Sequence, residues 1–265
     1  MSDPALPAPA PTSDTSDTSE HPLVVLVHGA WHGAWCYAAL QERLDRRGIA
    51  SLAVDLPGHG ASTLPLGDLH GDAQHVADVI EAWGRPVVLV GHSYGGAVIT
   101  EAAVRTAHVR HLVYLAAFAP LAGDGVMSTL GSLERRDVAL GAAMRMRDDG
   151  TSVLDPELAA PALYGSCPPE VVAASLPRLS PQPMATFGQP VTGDPRATIP
   201  STFVVCTLDQ AVHPDHQVAM AARCTEVVTL ETDHSPFASM PDATADVIAG
   251  AVASAAGTPT GDVTA

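Results

Sequence analysis

The sequence predicts an α/β fold built on a parallel sheet of about six strands, and three observations carry that expectation. Short β-branched runs recur at 23–27, 50–54, 86–90, 112–116, 202–206 and 226–230, and amphipathic stretches separate most of them. A strand–helix alternation of this kind is solved by a parallel sheet with helices on its faces. The third observation is length: 265 residues, 46% hydrophobic, suffice for one large core.

The elements follow in chain order. Residues 1–20 are Pro-, Ser-, Thr- and Asp-rich and nearly devoid of large apolar side chains, so they are expected to form a disordered tail. The folded domain is placed at 21–256, and 257–265 reads as a second tail. Helical patterns fall at 37–47, 72–83, 95–107, 214–223 and 242–252, each between strands or after the last one. From about 120 to 200 the alternation lapses into prolines, glycines and short helical patches such as 170–176. An insertion there follows the C-terminal end of a strand, where open sheets bind ligands, and is expected to form a small helical lid.

Composition narrows the function. Thirteen basic against 29 acidic residues give a net charge of −16, a field that repels nucleic acid and anionic membranes. Cys36, Cys167, Cys206 and Cys224 are widely spaced, which fits free thiols in a reducing cytoplasm better than a zinc site or a disulfide framework. No signal peptide and no membrane-length apolar run is legible, and a cytoplasmic location is expected.

The chemistry is most legible at Val87-Val88-Leu89-Val90-Gly91-His92-Ser93-Tyr94-Gly95-Gly96, an apolar strand entering G-x-S-x-G and then a helix. Flanking glycines permit the sharp turn that lifts a serine hydroxyl above the sheet, so Ser93 is the candidate nucleophile. A serine needs a histidine base, and the base needs a carboxylate to orient it. His234 lies just beyond the last strand and Asp209 just beyond the penultimate one, which makes them the candidate base and acid. Asp233, Asp215 and Asp124 are the weaker candidates for the acid, and His213 and His216 read as helix-start residues beside Pro214. The backbone N–H groups of Ala30 and Tyr94 are the candidate oxyanion hole. His28 is expected to brace its loop by hydrogen bonding, and no metal or cofactor is called for by any motif. Trp31, Tyr164 and Phe237 are the candidate pocket residues, among a wider aromatic and methionine group that includes Trp35, Met144 and Met146.

From 23 to 252 the chain resembles the α/β-hydrolases that include plant methylesterases, salicylate-binding esterases, hydroxynitrile lyases and bacterial esterases. The resemblance rests on LVHGAWHGAWCY, GHSYGG, LVYLAAFAP, LYGSCPPEVVAASLPRLSPQP, VVCTLDQAVHPDHQVAM and TDHSPF. It implies an α/β-hydrolase fold with a helical lid, a triad of Ser93, Asp209 and His234, and oxyanion donors at Ala30 and Tyr94. The expected activity is hydrolysis of small apolar carboxylic esters without a cofactor, and a monomer or homodimer is the expected assembly. The cyanohydrin-cleaving members depend on a lid lysine, and 120–200 contains none; Ser235, Pro236 and Phe237 also depart from the methionine-containing sequence that plant methylesterases carry after the histidine. These departures point toward the bacterial esterases. The rival expectations are lyase or cyclase chemistry on the same triad, and ligand binding on a hydrolase scaffold.

Overall fold

The structure, a computed structural model, describes residues 22–257, so the expected tail at 1–20, and all of the one at 257–265 but Gly257, lie outside the described residues. All six expected strands form, as β1 (Leu23–Val27), β2 (Ser51–Val54), β3 (Val87–His92), β4 (Val109–Leu115), and, after an insertion holding three short strands, β8 (Ser201–Cys206) and β9 (Glu226–Leu230). They pair in the order β2-β1-β3-β4-β8-β9, every pairing parallel. The inner strands β1, β3 and β8 are buried along their whole length, whereas the edge strands β2 and β9 are partly exposed. That division matches their sequences: continuous apolar runs suit a strand covered on both faces, and mixed ones suit an edge.

Helices α1 (Ala38–Asp45) and α10 (Pro241–Ala256) cover one face, where Leu40, Leu44, Ile248 and Val252 pack on Val24, Leu26, Val88 and Val90. Helices α2 (Leu69–Trp83), α3 (Gly95–Ala103) and α9 (Pro214–Ala221) cover the other, meeting Val25, Val27, Val87 and Leu89. Alternate residues of each strand therefore feed opposite cores, as the two-residue period of a strand demands. Helix α2 begins where the Asp68 side chain accepts the Gly71 N–H at 2.8 Å and ends at Gly84 with φ 67°.

The chain leaves β1 toward β2 on one side and returns to form β3 on the other. The loop carrying Ala30 and the turn carrying Ser93 thus leave adjacent strands at the point where strand order reverses, which is where open α/β sheets gather ligands.

The insertion between β4 and β8 holds α4 (Val126–Gly131), α5 (Leu140–Ala143), α6 (Pro156–Tyr164), α7 (Pro169–Ser175) and α8 (Ala185–Gly188). It also holds β5 (Met144–Met146), β6 (Thr151–Leu154) and β7 (Gln182–Pro183), paired antiparallel in a second sheet. The expectation of a helical lid is corrected to that extent. Strands of two to four residues carry too few alternations to register as a period, and their stability comes from partners that the linear sequence does not reveal.

Candidate active site

Ser93 sits at the turn between β3 and α3 with φ 52°, a left-handed conformation costly for a residue with a side chain. The surrounding chain holds it there: the Ser93 N–H donates to the Leu115 carbonyl at 3.2 Å, and its carbonyl accepts from the Phe118 N–H at 3.0 Å. Glycine is required on both sides. A Cβ on Gly91 would stand 2.5 Å from the Gly95 carbonyl oxygen, and one on Gly95 would stand 2.5 Å from that of Val27. The G-x-S-x-G pattern is thereby a packing requirement as well as a conformational one.

Asp209 leaves the end of β8 and is fully buried. Its Oδ1 accepts the backbone N–H groups of Ala211 at 2.6 Å and Val212 at 2.9 Å, and its Oδ2 accepts from Gln217 Nε2 at 2.8 Å. The same Oδ2 lies 2.7 Å from His234 Nδ1. With Nδ1 committed to the carboxylate, Nε2 is the ring nitrogen open to a hydroxyl. The His234 loop is fixed from below by His92, whose Nε2 donates to the His234 carbonyl at 2.8 Å; the two rings lie 4.5 Å apart. The competing carboxylates are otherwise engaged. Asp233 accepts from the Ser166 and Ser235 N–H groups, Asp215 pairs with Arg136 at 2.8 Å, and Asp124 accepts from the Ser128 hydroxyl at 3.1 Å.

Gln217 was not legible as a site residue. It is buried in α9, its Oε1 accepts the Cys206 N–H at 2.9 Å, and its Nε2 reaches Asp209 and the Val212 carbonyl. It ties the strand end to the carboxylate. Gln217→Ala is expected to lower kcat/KM for esters about tenfold with KM little changed, as loss of an orienting partner does; stopped-assay kinetics check it.

Ala30 and Trp31 follow β1, Trp31 with φ 63°. The insertion clamps this loop: the Trp31 carbonyl accepts the Ser180 N–H at 2.8 Å, and the indole N–H donates to Ser152 Oγ at 3.1 Å. Among the turn and loop hydrogen bonds of the described residues, neither the Ala30 nor the Tyr94 N–H donates to a backbone carbonyl. Beneath the loop lies a set of buried imidazoles. His28 Nε2 accepts the Leu56 N–H at 3.1 Å, as expected of a bracing residue, and His32 bridges the Ala30 carbonyl at 2.8 Å and the Tyr164 hydroxyl at 2.7 Å. Burial and the neighbouring rings push His28 down to about 3, and burial is also the main cause for His32 and His59, each lowered to about 4. Asp55 completes the brace, accepting the N–H groups of Ala34 at 2.6 Å and Ala61 at 2.9 Å.

Tyr94 points away from the cavity. Its hydroxyl donates to Asp72 Oδ2 at 2.7 Å, while Asp72 Oδ1 is buried without a partner. Burial pushes the Asp72 carboxyl up to about 7, against the opposing effect of the Tyr94 hydrogen bond. A folded-state value above the unfolded one means that Asp72 lowers stability as pH rises from about 4 to 7, by up to a few kcal/mol. Asp72→Asn keeps an acceptor for Tyr94 and removes the titration. Its melting temperature is expected to exceed the wild type's by clearly more at pH 8 than at pH 5, which thermal denaturation at the two pH values checks.

A cavity of about 120 Å³ opens over Ser93, lined by Ala30, Trp31, Phe118, Leu140, Met184 and Phe187 among others. Trp31 and Met144, two of the residues expected near the entrance, are among its lining. Tyr164 and Phe237 do not line it, and that expectation is corrected. Tyr164 is turned onto His32, and Phe237 packs edge-on against Tyr37 and His92 in the core below. Among the described residues no group of three or more His, Cys, Asp or Glu side chains could hold a metal ion, and no helix is long and apolar enough to cross a membrane.

The family model described as the alpha/beta hydrolase family matches residues 24–247. The chain belongs to this family. It is 30% identical over 234 residues to the pFDCC methylesterase of Arabidopsis thaliana, covering 82% of this chain and 89% of that protein. A carbendazim hydrolyzing esterase of a Nocardioides species is 46% identical over 111 residues, covering 40% of this chain and 46% of that protein. Among solved structures, a pyrethroid hydrolase from Sphingobium faniae superposes with a TM-score of 0.75 at 26% identity, covering 86% of this chain and 96% of that one.

Proposed function

We propose that this α/β-hydrolase cleaves small apolar carboxylic esters through an acyl-enzyme formed on Ser93, with His234 as base and Asp209 as its orienting acid. The observation that carries the reading is the Asp209–His234 contact of 2.7 Å, buried at the strand ends beside a cavity that contains the strained Ser93. The chain is a carboxylic ester hydrolase, as its relatives named as methylesterase and esterase support.

In this mechanism the Ser93 hydroxyl attacks the ester carbonyl while His234 Nε2 takes its proton. The carbonyl oxygen, now negative, is met by the N–H groups of Ala30 and Tyr94, which lie on two rigidly held turns and need no reorganisation. His234 then returns the proton to the departing alcohol, and water activated by the same nitrogen releases the acid. Asp209, held by its three other hydrogen-bond donors, keeps Nδ1 protonated throughout. The apolar lining suits a substrate without charge near the reacting bond.

Wild type is expected to turn over p-nitrophenyl acetate and butyrate, and Ser93→Ala to lose at least a thousandfold in kcat, the scale of removing a nucleophile that acts as a unit with its base. Turnover retained in the variant would contradict the assignment.

A further inference from the structure

A second cavity, of about 400 Å³, adjoins the Ser93 chamber. Met127, Leu130, Ala211 and Val212 line both. Apart from these shared residues the outer cavity is bounded by Gly131, Leu133, Val138, Arg135, Arg136, His213 and His216. The inner chamber, at about 120 Å³, holds roughly four water volumes of ~30 Å³ each, enough for a reacting carboxyl and a short alkyl group. It falls below the roughly 300–1,000 Å³ of small-molecule sites, whereas the outer cavity lies within that range.

Three polar groups of the outer cavity, those of Arg136, His213 and His216, are engaged within the chain. Arg136 is held between Glu134 at 2.6 Å and Asp215 at 2.8 Å. His216 Nε2 donates to the Glu134 carbonyl at 2.8 Å, and His213 Nδ1 accepts the Asp215 N–H at 3.1 Å. The Arg135 side chain is 93% exposed and 3.7 Å from Asp137. What the walls offer an incoming group is therefore mainly apolar surface from Met127, Leu130, Leu133, Val138 and Val212, beside the solvent-exposed Arg135.

We infer that the outer cavity is a substrate subsite, and that the substrates are unsymmetrical esters with one short group and one bulky, neutral, apolar group of about two fused rings. The short group occupies the chamber at Ser93 and the bulky group reaches past the shared side chains into the outer cavity. The inference rests on the ester-hydrolase reading above, but its binding arm does not require turnover. Recognition remote from the reacting bond supplies orientation, so the bulky group is expected to raise kcat/KM.

Gly131 provides the test. It ends α4 at the wall of the outer cavity, and a Cβ built on it meets nothing within 4 Å, so a large side chain can be added there without displacing backbone. Binding of 2-naphthol is measured by equilibrium dialysis to wild type, Ser93→Ala, Gly131→Ala and Gly131→Trp, alongside hydrolysis of ethyl acetate, 2-naphthyl acetate and methyl 2-naphthoate. The expected result is 2-naphthol binding in the first three proteins and at least tenfold weaker binding in Gly131→Trp. In that variant kcat/KM should fall at least tenfold for a naphthalene ester, with ethyl acetate within twofold of wild type. Equal loss for ethyl acetate and the naphthalene esters, or unchanged 2-naphthol binding in Gly131→Trp, would overturn the subsite. Selective loss of 2-naphthol binding in an enzyme inert to all three esters would uphold the apolar cavity and overturn the ester reading instead.

Discussion

Asp209→Asn is expected to lower kcat on p-nitrophenyl esters about ten-thousandfold while the protein stays folded, the scale on which loss of the correct histidine tautomer acts. The reason lies in the donors around that carboxylate. Ala211 and Val212 direct two N–H groups at Oδ1, so the amide oxygen of asparagine would be held there and its NH₂ would take the place of Oδ2. That NH₂ would face His234 Nδ1 and force it to accept a hydrogen bond. The ring proton then sits on Nε2, where the base must be empty. Gln217 cannot relieve the conflict by turning over, because its Oε1 holds the Cys206 N–H. Steady-state kinetics with circular dichroism on the variant check this expectation; a loss of less than tenfold in a folded protein would contradict it.

Acid should unfold the protein earlier than carboxylate titration alone would. His28, His32 and His59 are held neutral by burial, at about 3, 4 and 4, whereas the unfolded chain binds protons at these positions near 6.5. Because the folded values are depressed, the unfolded state binds more protons below pH 6.5, and stability falls as pH drops from there toward 4. Each group contributes on the order of 3 kcal/mol of that loss by pH 4, and the three together reach the order of the whole stability of a domain, ~5–15 kcal/mol. His92, also lowered by burial and by its neighbour His234, acts in the same direction. Asp72 works oppositely and offsets a part. Far-ultraviolet circular dichroism is expected to show a cooperative transition between about pH 6 and 4; native signal persisting at pH 3 would contradict it. Since these rings brace the loop carrying Ala30, esterase activity should be lost with or before the signal.

The parts of this architecture that were legible in the sequence are those set by local pattern. The six strands are runs whose neighbours along the chain already reveal two-sided or one-sided burial, and Ser93 is marked by glycines whose necessity is steric and local. Asp209 and His234 could be proposed together because each lies a few residues beyond the end of a strand, so their place at one end of the sheet follows from strand direction alone. The remainder depends on contacts between distant segments. The pairing of β6 with β7 joins residues about thirty apart in sequence, Asp72 meets Tyr94 across two helices, and Gln217 reaches back to Asp209 from α9. Tyr164 and Phe237 show the same limit: both are near the site in the fold, but the side-chain direction that turns one to His32 and the other into the core is decided by packing.

The most direct test of the central claim is mass spectrometry of wild-type enzyme acid-quenched during turnover of p-nitrophenyl butyrate, with peptide mapping. A butyryl group on Ser93, absent from Ser93→Ala, is the expected result; turnover with no adduct on Ser93, or with the acyl group on another residue, would contradict it.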